Sequence, residues 1–589
     1  TAFSTGNADC ALRSGPPVFQ AVLSTAEARL WVESTRGLSP ADLAMHVVLP
    51  EVDGRIPAQI VSVKDQGAAN PALEFAPLRH KPLPDRIAAL ADRVTAWLRL
   101  RNRPPLAMVL STYPGKPWLD AHAVGLDATA SAQAMLRHLG HEPPDLARGL
   151  RQGGLDWPLA DYLRALETLP RPLRDALHDA WGPPENDPQI DAGRIRFHAL
   201  RCGPHVVALQ PERGRVEDRE TGYHDLTAPP RHAYVAFYLW LRASGIGAIV
   251  HIGAHGTLEW LPGKAAAQSA ACWPEVLTGP LPVIYPFIVN DPGEAAQARR
   301  RLGAVTPGHM PPPLAPAQLP EKFVNLEQML DRYSTADGID PARRDRLAAM
   351  IADEARALGL MDSLGLKGDD FEALSALDRF VCELKESRYS DGLHVWGDTP
   401  GEWAGLDAAL AGRHVAPGPS GSPWRGAGDV LPTGRNLFAV DPRALPAPES
   451  EAKGQMMADE LIRGYLQDHG DYPREVMVDL WGSATMRTGG EDLAMALALA
   501  GLRALRDPGT GRVNGIEVVP LAELGRPRVG VSLKISGLFR DSFPVLIRLF
   551  TLGCNMLARR EESAADNPYL SAEPRVFGPP EGVYGTGID

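Results

Sequence analysis

The sequence predicts a multidomain α/β protein whose domains are parallel-sheet units of the Rossmann or flavodoxin type, interrupted by a mainly helical insertion. Three observations carry this expectation. At 589 residues the chain is too long for a single hydrophobic core. Short, wholly apolar stretches of strand length, such as 106–110, 206–209 and 248–252, alternate with helical periodicity, the pattern of a parallel sheet covered on both faces. Residues 321–400 instead keep helical spacing almost throughout. The expected division is a partial α/β domain at 1–85, a central α/β domain at 86–320, a mainly helical region with a crossing loop at 321–430, and a C-terminal α/β domain at 431–589.

Each element has a local reason. Apolar runs predict strands at 18–23 and 46–49, separated by turns such as Asp53-Gly54. Asp85 is expected to cap a helix whose stripe is Ile87, Leu90, Ala91, Val94 and Leu98, and Pro104-Pro105 ends it before the strand 106–110. In the centre, strands at 206–209, 248–252 and 283–289 alternate with helices at 233–242 and 292–302, the last opened by Asp291 as cap and Pro292 in the first turn. The proline-rich stretch 307–320 reads as a linker. Phe371, Leu374, Leu377, Phe380, Val381 and Leu384 give one apolar face to a helix of the insertion, and 410–450, rich in Gly, Pro and Arg, reads as an ordered crossing loop. The last part predicts a strand at 476–480, a helix at 491–505, strands at 516–521 and 529–535, and a helix at 541–557.

Composition removes several function classes. With 60 basic against 72 acidic residues, the chain is not a general nucleic-acid binder. No apolar run approaches the roughly 18 residues of a membrane helix, and the longest, from Ala233, is stopped at Arg242. The five cysteines stand singly, which fits a reducing cytoplasm and excludes a cysteine-rich zinc site. The chain starts at Thr1 without a signal segment, and a fragment of a longer protein is expected. Neither Gly115-Lys116-Pro117 nor Gly263-Lys264-Ala265 completes a phosphate-binding loop, so any ATP hydrolysis is expected on a separate subunit.

The most informative segment is 248–264. An apolar strand runs directly into a loop broken by Gly253, Gly256 and Gly263 that carries His251, His255, Glu259 and Lys264. Polar groups just beyond a parallel strand occupy the usual ligand-binding edge of an open α/β sheet. His251, His255 and Glu259 are candidate ligands for a divalent cation such as cobalt, zinc or iron, and His255 and Glu259 are candidate proton acceptors. A packed core histidine is the competing reading of His251. Spacing alone does not decide which group is base and which is ligand.

This segment resembles the signature loop of the large subunit of ATP-dependent tetrapyrrole chelatases, the family of cobaltochelatase and magnesium chelatase. Further matching motifs follow in order: Gly279-Pro-Leu-Pro, Tyr285-Pro-Phe-Ile-Val-Asn-Asp-Pro-Gly-Glu294, Leu431-Pro-Thr-Gly-Arg-Asn436, Met486-Arg-Thr-Gly-Gly-Glu-Asp492 and Ser536-Gly-Leu-Phe-Arg-Asp541. The second and fourth are worded as in the cobalt branch. Ala254 departs from the Thr or Lys common in the family. The resemblance implies a catalytic, macrocycle-binding subunit that inserts Co2+ as a substrate into a corrin precursor, hydrogenobyrinate a,c-diamide, during vitamin B12 synthesis. It also implies an AAA+ ATPase partner that hydrolyses ATP with Mg2+, a companion subunit with an adhesion-like domain, and no nucleic acid or membrane.

An anionic corrin needs cations around it, and Lys264, Arg435, Arg487 and Arg540 are the expected holders of its carboxylates. Glu491 with Asp492, Gln210, Arg213, His224 and Asp225 join them as substrate-side candidates, and Asn290 and Glu294 rank behind because both have a capping explanation. Magnesium insertion into protoporphyrin, a zinc hydrolase and a non-enzymatic tetrapyrrole carrier are the competing functions.

Overall fold

A computed structural model describes residues 15–111, 124–152, 154–215, 225–253, 256–312, 321–336, 339–369, 371–386, 392–425, 427–438, 441–508, 510–571 and 573–580. His224, Ala254 and His255 lie outside them.

The chain opens with β1 (Phe19–Glu27) and β2 (Ile56–Gln66) in parallel, with β3 (Leu78–Pro82) returning antiparallel along β2. The strand expected at 46–49 is instead helical, part of a continuous helical run over 40–52 in which Val47, Val48 and Leu49 are buried. A short apolar run alone cannot separate a strand from a buried helix. Helix α1 (Pro84–Arg99) forms as expected, but Asp85 sits within its first turn beside Arg86 and Leu83 is the cap residue.

The central sheet contains β4 (Leu106–Leu110), β8 (Ala199–Cys202), β9 (His205–Leu209), β10 (Ala248–Ile252) and β11 (Val283–Ile284) in the order β11-β10-β4-β9-β8. All pair in parallel except β8, which runs antiparallel to β9. A small antiparallel sheet of β5 (Leu155–Pro158), β6 (Ile190–Asp191) and β7 (Arg194–Phe197) is inserted between β4 and β8 and was not legible in the sequence. Helix α2 (His232–Ala243) is buried over nearly its whole length, packing Tyr234, Phe237, Tyr238 and Trp240 into the core beneath the sheet. The strand expected at 283–289 is split at Pro286 into β11 and β12 (Phe287–Ile288). Helix α3 (Pro292–Leu302) follows, with the Asp291 carboxylate accepting from Glu294 N at 3.4 Å. Part of the expected linker at 307–320 is a strand, β13 (Gly308–His309), parallel to β12.

The insertion is helical: α4 (Glu321–Ala336), α5 (Pro341–Ala357) and α6 (Phe371–Glu386) share a core that includes Leu326, Leu330, Ile351, Leu374, Leu377 and Val381. Helix α7 (Pro400–Leu410) and the crossing loop come next, the loop pinned by β14 (Pro417–Pro419) against β15 (Asn436–Phe438). In the C-terminal unit, α8 (Pro448–His469) packs on α9 (Glu491–Ala500), and β16 (Glu475–Leu480), β19 (Gly530–Ile535) and β20 (Val576–Phe577) form a parallel sheet. The helix expected to reach residue 505 stops at Gly501, whose φ of 74° ends it. The chain then turns back as the hairpin β17 (Leu502–Arg506) and β18 (Val513–Val518). The helix expected at 541–557 starts earlier, at Gly537, and is broken before α10 (Pro544–Leu557). Among the described residues no helix is long and apolar enough to cross a membrane.

The crossing of α7 with the 431–436 segment is very close. A Cβ on Gly405 would collide with the Gly434 carbonyl, one on Gly401 with the Thr433 carbonyl, and Gly434 itself has φ of 87°. Gly405→Ala should therefore destabilise the fold by about 2–4 kcal/mol, since backbone cannot yield as a flexible side chain can. The urea unfolding midpoint measures this, and an unchanged midpoint would show that the crossing relaxes freely.

Candidate functional site

The carboxyl ends of three neighbouring strands meet at one point. Gln210 follows β9, Ser111 follows β4, and β10 carries His251 into the loop 253–264. The edge is tied by backbone bonds from Gln210 N to Leu110 O (2.8 Å) and from Ser111 N to Ile252 O (3.0 Å).

His251 is fully buried, its ring 4.4 Å centroid to centroid from that of Tyr285. The Gln210 side-chain oxygen accepts from Thr257 N at 3.0 Å, which orients the amide so that its nitrogen faces His251 Nε2 at 3.2 Å and the Tyr238 hydroxyl at 2.7 Å. A donor facing that ring nitrogen makes it the acceptor, which places the imidazole proton on Nδ1, 3.5 Å from Ser111 Oγ. Its Nε2 lone pair is therefore engaged by protein, and His251 sits as a positioning group within the sheet. Gly256 lies against this ring; a Cβ there would come within 2.6 Å of His251 Cε1.

Glu259 is completely enclosed on a short 3-10 turn. Its Oε1 accepts from Gly256 N at 2.9 Å and from the Tyr285 hydroxyl at 3.0 Å, while Oε2 has no hydrogen-bond partner among the described residues. Burial pushes its pKa up, against the opposing effect of those two donors. Glu294, in the first turn of α3, is also buried, and its pKa is raised well above the carboxylate range by burial and then by repulsion from Asp291, Asp378 and Glu259. Two carboxyl groups of high proton affinity thus share one electrostatic environment at the sheet edge. Among the described residues no group of three His, Cys, Asp or Glu side chains is spaced to hold a metal ion.

The loop is held from behind by Arg301. Its guanidinium donates to Lys264 O at 3.2 Å, to Leu261 O at 2.7 Å and to Glu259 O. Its two predecessors reach elsewhere. Arg300 pairs with Glu51 at 2.9 Å, and Arg299 donates to Asn436 Oδ1 at 2.9 Å and to Arg55 O at 3.2 Å. Arg301 and Tyr285 are the two important residues that sequence reasoning left out of the site. The signal for Arg301 was three arginines in succession on an alanine-rich helix, which cannot all face solvent.

The expected substrate cations are placed differently. Lys264 is buried, with Nζ donating to Val32 O at 2.9 Å and Ser34 O at 2.6 Å, so it ties the site loop to the N-terminal sheet. Arg213 donates to Trp260 O at 3.2 Å and to Asp225 O and Ala228 O at 2.6 and 2.8 Å, bracing the other side of the loop. Arg435 turns back on carbonyls of its own segment, including Pro432 O at 3.1 Å. Arg487 pairs with Asp340 at 2.7 Å, Glu491 with Arg346, and Arg540 donates to Pro579 O at 2.7 Å. Asp492, beside Glu491, has a pKa raised by burial. Thus Gln210, His251 and Glu259 converge, and Glu294 is linked to them only through the charge of Glu259, whereas Arg435, Arg487, Glu491 and Arg540 engage other parts of the chain.

A second histidine pair lies on and beside β13. His309 is fully buried on β13 with Nδ1 3.1 Å from Met310 O and Nε2 without a partner among the described residues. His394 lies parallel to it at 5.8 Å and binds Glu402 at 2.9 Å; Glu402 also accepts from Met310 N, Gly397 N and the Thr433 hydroxyl.

The CobN/Magnesium Chelatase family model matches residues 4–404 and 398–589. This chain belongs to that family. It is 35% identical to the aerobic cobaltochelatase subunit CobN of Sinorhizobium sp, covering 98% of this chain and 60% of that protein. It is 30% identical to a magnesium-chelatase subunit of Rhodobacter capsulatus, covering 95% of this chain and 52% of that protein. The catalytic subunit of cobaltochelatase from Mycobacterium tuberculosis superposes with a TM-score of 0.57 at 31% identity, covering 97% of this chain and 60% of that one. The chain therefore spans about 60% of the length of its cobaltochelatase relatives.

Two outcomes follow. Arg301→Met leaves three loop carbonyls without their donor and should cost about 2–4 kcal/mol, with faster proteolysis within 256–264; an unchanged unfolding midpoint would remove Arg301 from this role. Burial lowers the His309 pKa from 6.5 to about 4. The folded state then binds fewer protons than the unfolded chain between those values, so its contribution is full above pH 6.5 and lost as pH falls towards 4. The unfolding free energy of His309→Gln, read from urea titrations, should fall less over that window, by on the order of 3 kcal/mol.

Proposed function

We propose that this chain carries the insertion centre of a cobaltochelatase catalytic subunit, placing Co2+ into an anionic corrin precursor, hydrogenobyrinate a,c-diamide, on the way to vitamin B12. ATP with its Mg2+ is hydrolysed on an AAA+ partner that acts with an adhesion-like companion subunit. The observation that carries the reading is the enclosed carboxylate of Glu259, with one oxygen fixed by Tyr285 and Gly256 and the other unpartnered among the described residues. The similarity to cobaltochelatase subunits over nearly the whole chain supports cobalt as the metal.

The chemistry sets the requirement. A divalent ion entering the ring displaces two pyrrolic protons, and these need acceptors near the macrocycle. A carboxylate with a raised pKa takes up a proton more readily than an ordinary one. Glu259, through Oε2, takes one proton and hands it to water before the second leaves; Glu294, held in its neutral acid form by burial, adds no charge beside it. Tyr285 and the Gly256 amide keep the carboxylate aimed, and His251 supports the Tyr285 ring. His255, between Gly253 and Gly256, is the remaining candidate to guide the ion as its water is stripped.

Glu259→Gln and His255→Ala should each abolish insertion, followed as the absorbance change on adding Co2+, ATP and partner subunits to the full-length protein with metal-free corrin. Affinity for the macrocycle should stay within about tenfold, roughly 1.4 kcal/mol. Insertion by both variants at the parental rate would displace the site, and turnover with Mg2+ but not Co2+ would reassign the metal.

A further inference from the structure

Beside the first turn of α3, which bears Glu294, lies a cavity of about 200 Å³. Asn290 and Pro292 form its wall on that side, one face of α4 another, and the crossing loop and the β17–β18 turn close it. Gly421 N donates to Val289 O at 2.8 Å, so the crossing loop is bonded directly to the segment entering α3.

Its cations are not fully used. Arg332 on α4 is largely covered, with a side-chain exposure of 20%, and its Nε lies 3.2 Å from Glu449 Oε2. That Nε makes no hydrogen bond, and neither do the terminal nitrogens among the described residues. Glu449 is meanwhile bound by Arg343 at 2.9 Å. From the β17–β18 turn, Arg512 gives Nε to Asp441 at 2.8 Å and Nη1 to Asp429 at 2.6 Å, leaving Nη2 without a bond among the described residues. Glu327 and Asp331 also line the space, on the α4 side. The intervening wall, with Phe438, Leu445 and Pro448, is apolar.

A volume of this size holds about seven waters, enough for side arms of a tetrapyrrole but not its ring. An acetate or propionate arm joins a methylene chain to a carboxylate, matching an apolar wall that ends in guanidinium donors; an inorganic phosphate has no apolar part to place there. We propose that this cavity receives the carboxylate arms of the macrocycle, with Arg332 of α4 and Arg512 of the β17–β18 turn meeting them and so setting the ring beside the first turn of α3. This assignment rests on the macrocycle-binding reading above.

Tryptophan fluorescence quenching of the full-length protein tests it, with metal-free hydrogenobyrinic acid a,c-diamide and its methyl ester as probes. Arg332→Met and Arg512→Met should each weaken the free acid about tenfold or more while leaving the ester unchanged. Arg332→Lys should recover part of the loss. Unchanged free-acid affinity in both methionine variants, or equal losses for acid and ester, would overturn the assignment. So would inorganic phosphate binding that the variants lose while their corrin affinity stays at the parental value. Failure of the parent itself to bind the corrin would instead overturn the macrocycle-binding reading.

Discussion

Three successive guanidinium groups on one buried helix hold this molecule together. Residues of an α-helix are spaced about 100° apart around its axis, so Arg299, Arg300 and Arg301 cannot share a neighbour. Each reaches a different part of the chain: Arg299 the crossing loop at Asn436, Arg300 the N-terminal region at Glu51, Arg301 the carbonyls of the 259–264 loop. Burying three cations is costly, and it is offset by satisfying their donors with fixed carbonyl and carboxylate oxygens. The same helix presents Glu294 at its other end. The relative placement of Glu259 and Glu294 is thus set by one rigid rod, not by a flexible loop.

That placement explains why the site can be both enclosed and charged. Glu259 needs an oriented carboxylate in a region that excludes water, and such a group would normally find a cation. Here Arg301 donates to backbone carbonyls, including that of Glu259 itself, and reaches the carboxylate only through its charge. The carboxylate is left to the Tyr285 hydroxyl and one backbone amide. Neutral donors hold its direction without removing its affinity for a proton.

Much of the scaffold was legible because it depends on local pattern. The apolar strands 106–110, 206–209 and 248–252, the capped start of helix 292–302 and the helical insertion follow from composition and spacing. The errors have local causes too: Gly501 ended a helix that apolar content would have prolonged, and the buried run 46–49 was helical where only burial could be read. The loop carrying Glu259 was legible from its glycines and polar residues. The arginines were not, because a sequence shows a cation but not its acceptors. Lys264, Arg213 and Arg435 engage backbone carbonyls, which no motif encodes.

The contact among Gly401, Gly405 and Gly434 separates inheritance of shape from inheritance of chemistry. Two stretches of main chain approach there with no space for even one carbon atom, whatever ion or ring the protein handles. A descendant could exchange His309 or Glu259 as its reaction changed, yet keep these three positions as hydrogen-only side chains as long as the crossing persisted. Their pattern is accordingly a marker of common architecture, and the acid and imidazole positions are where divergence of activity should be sought.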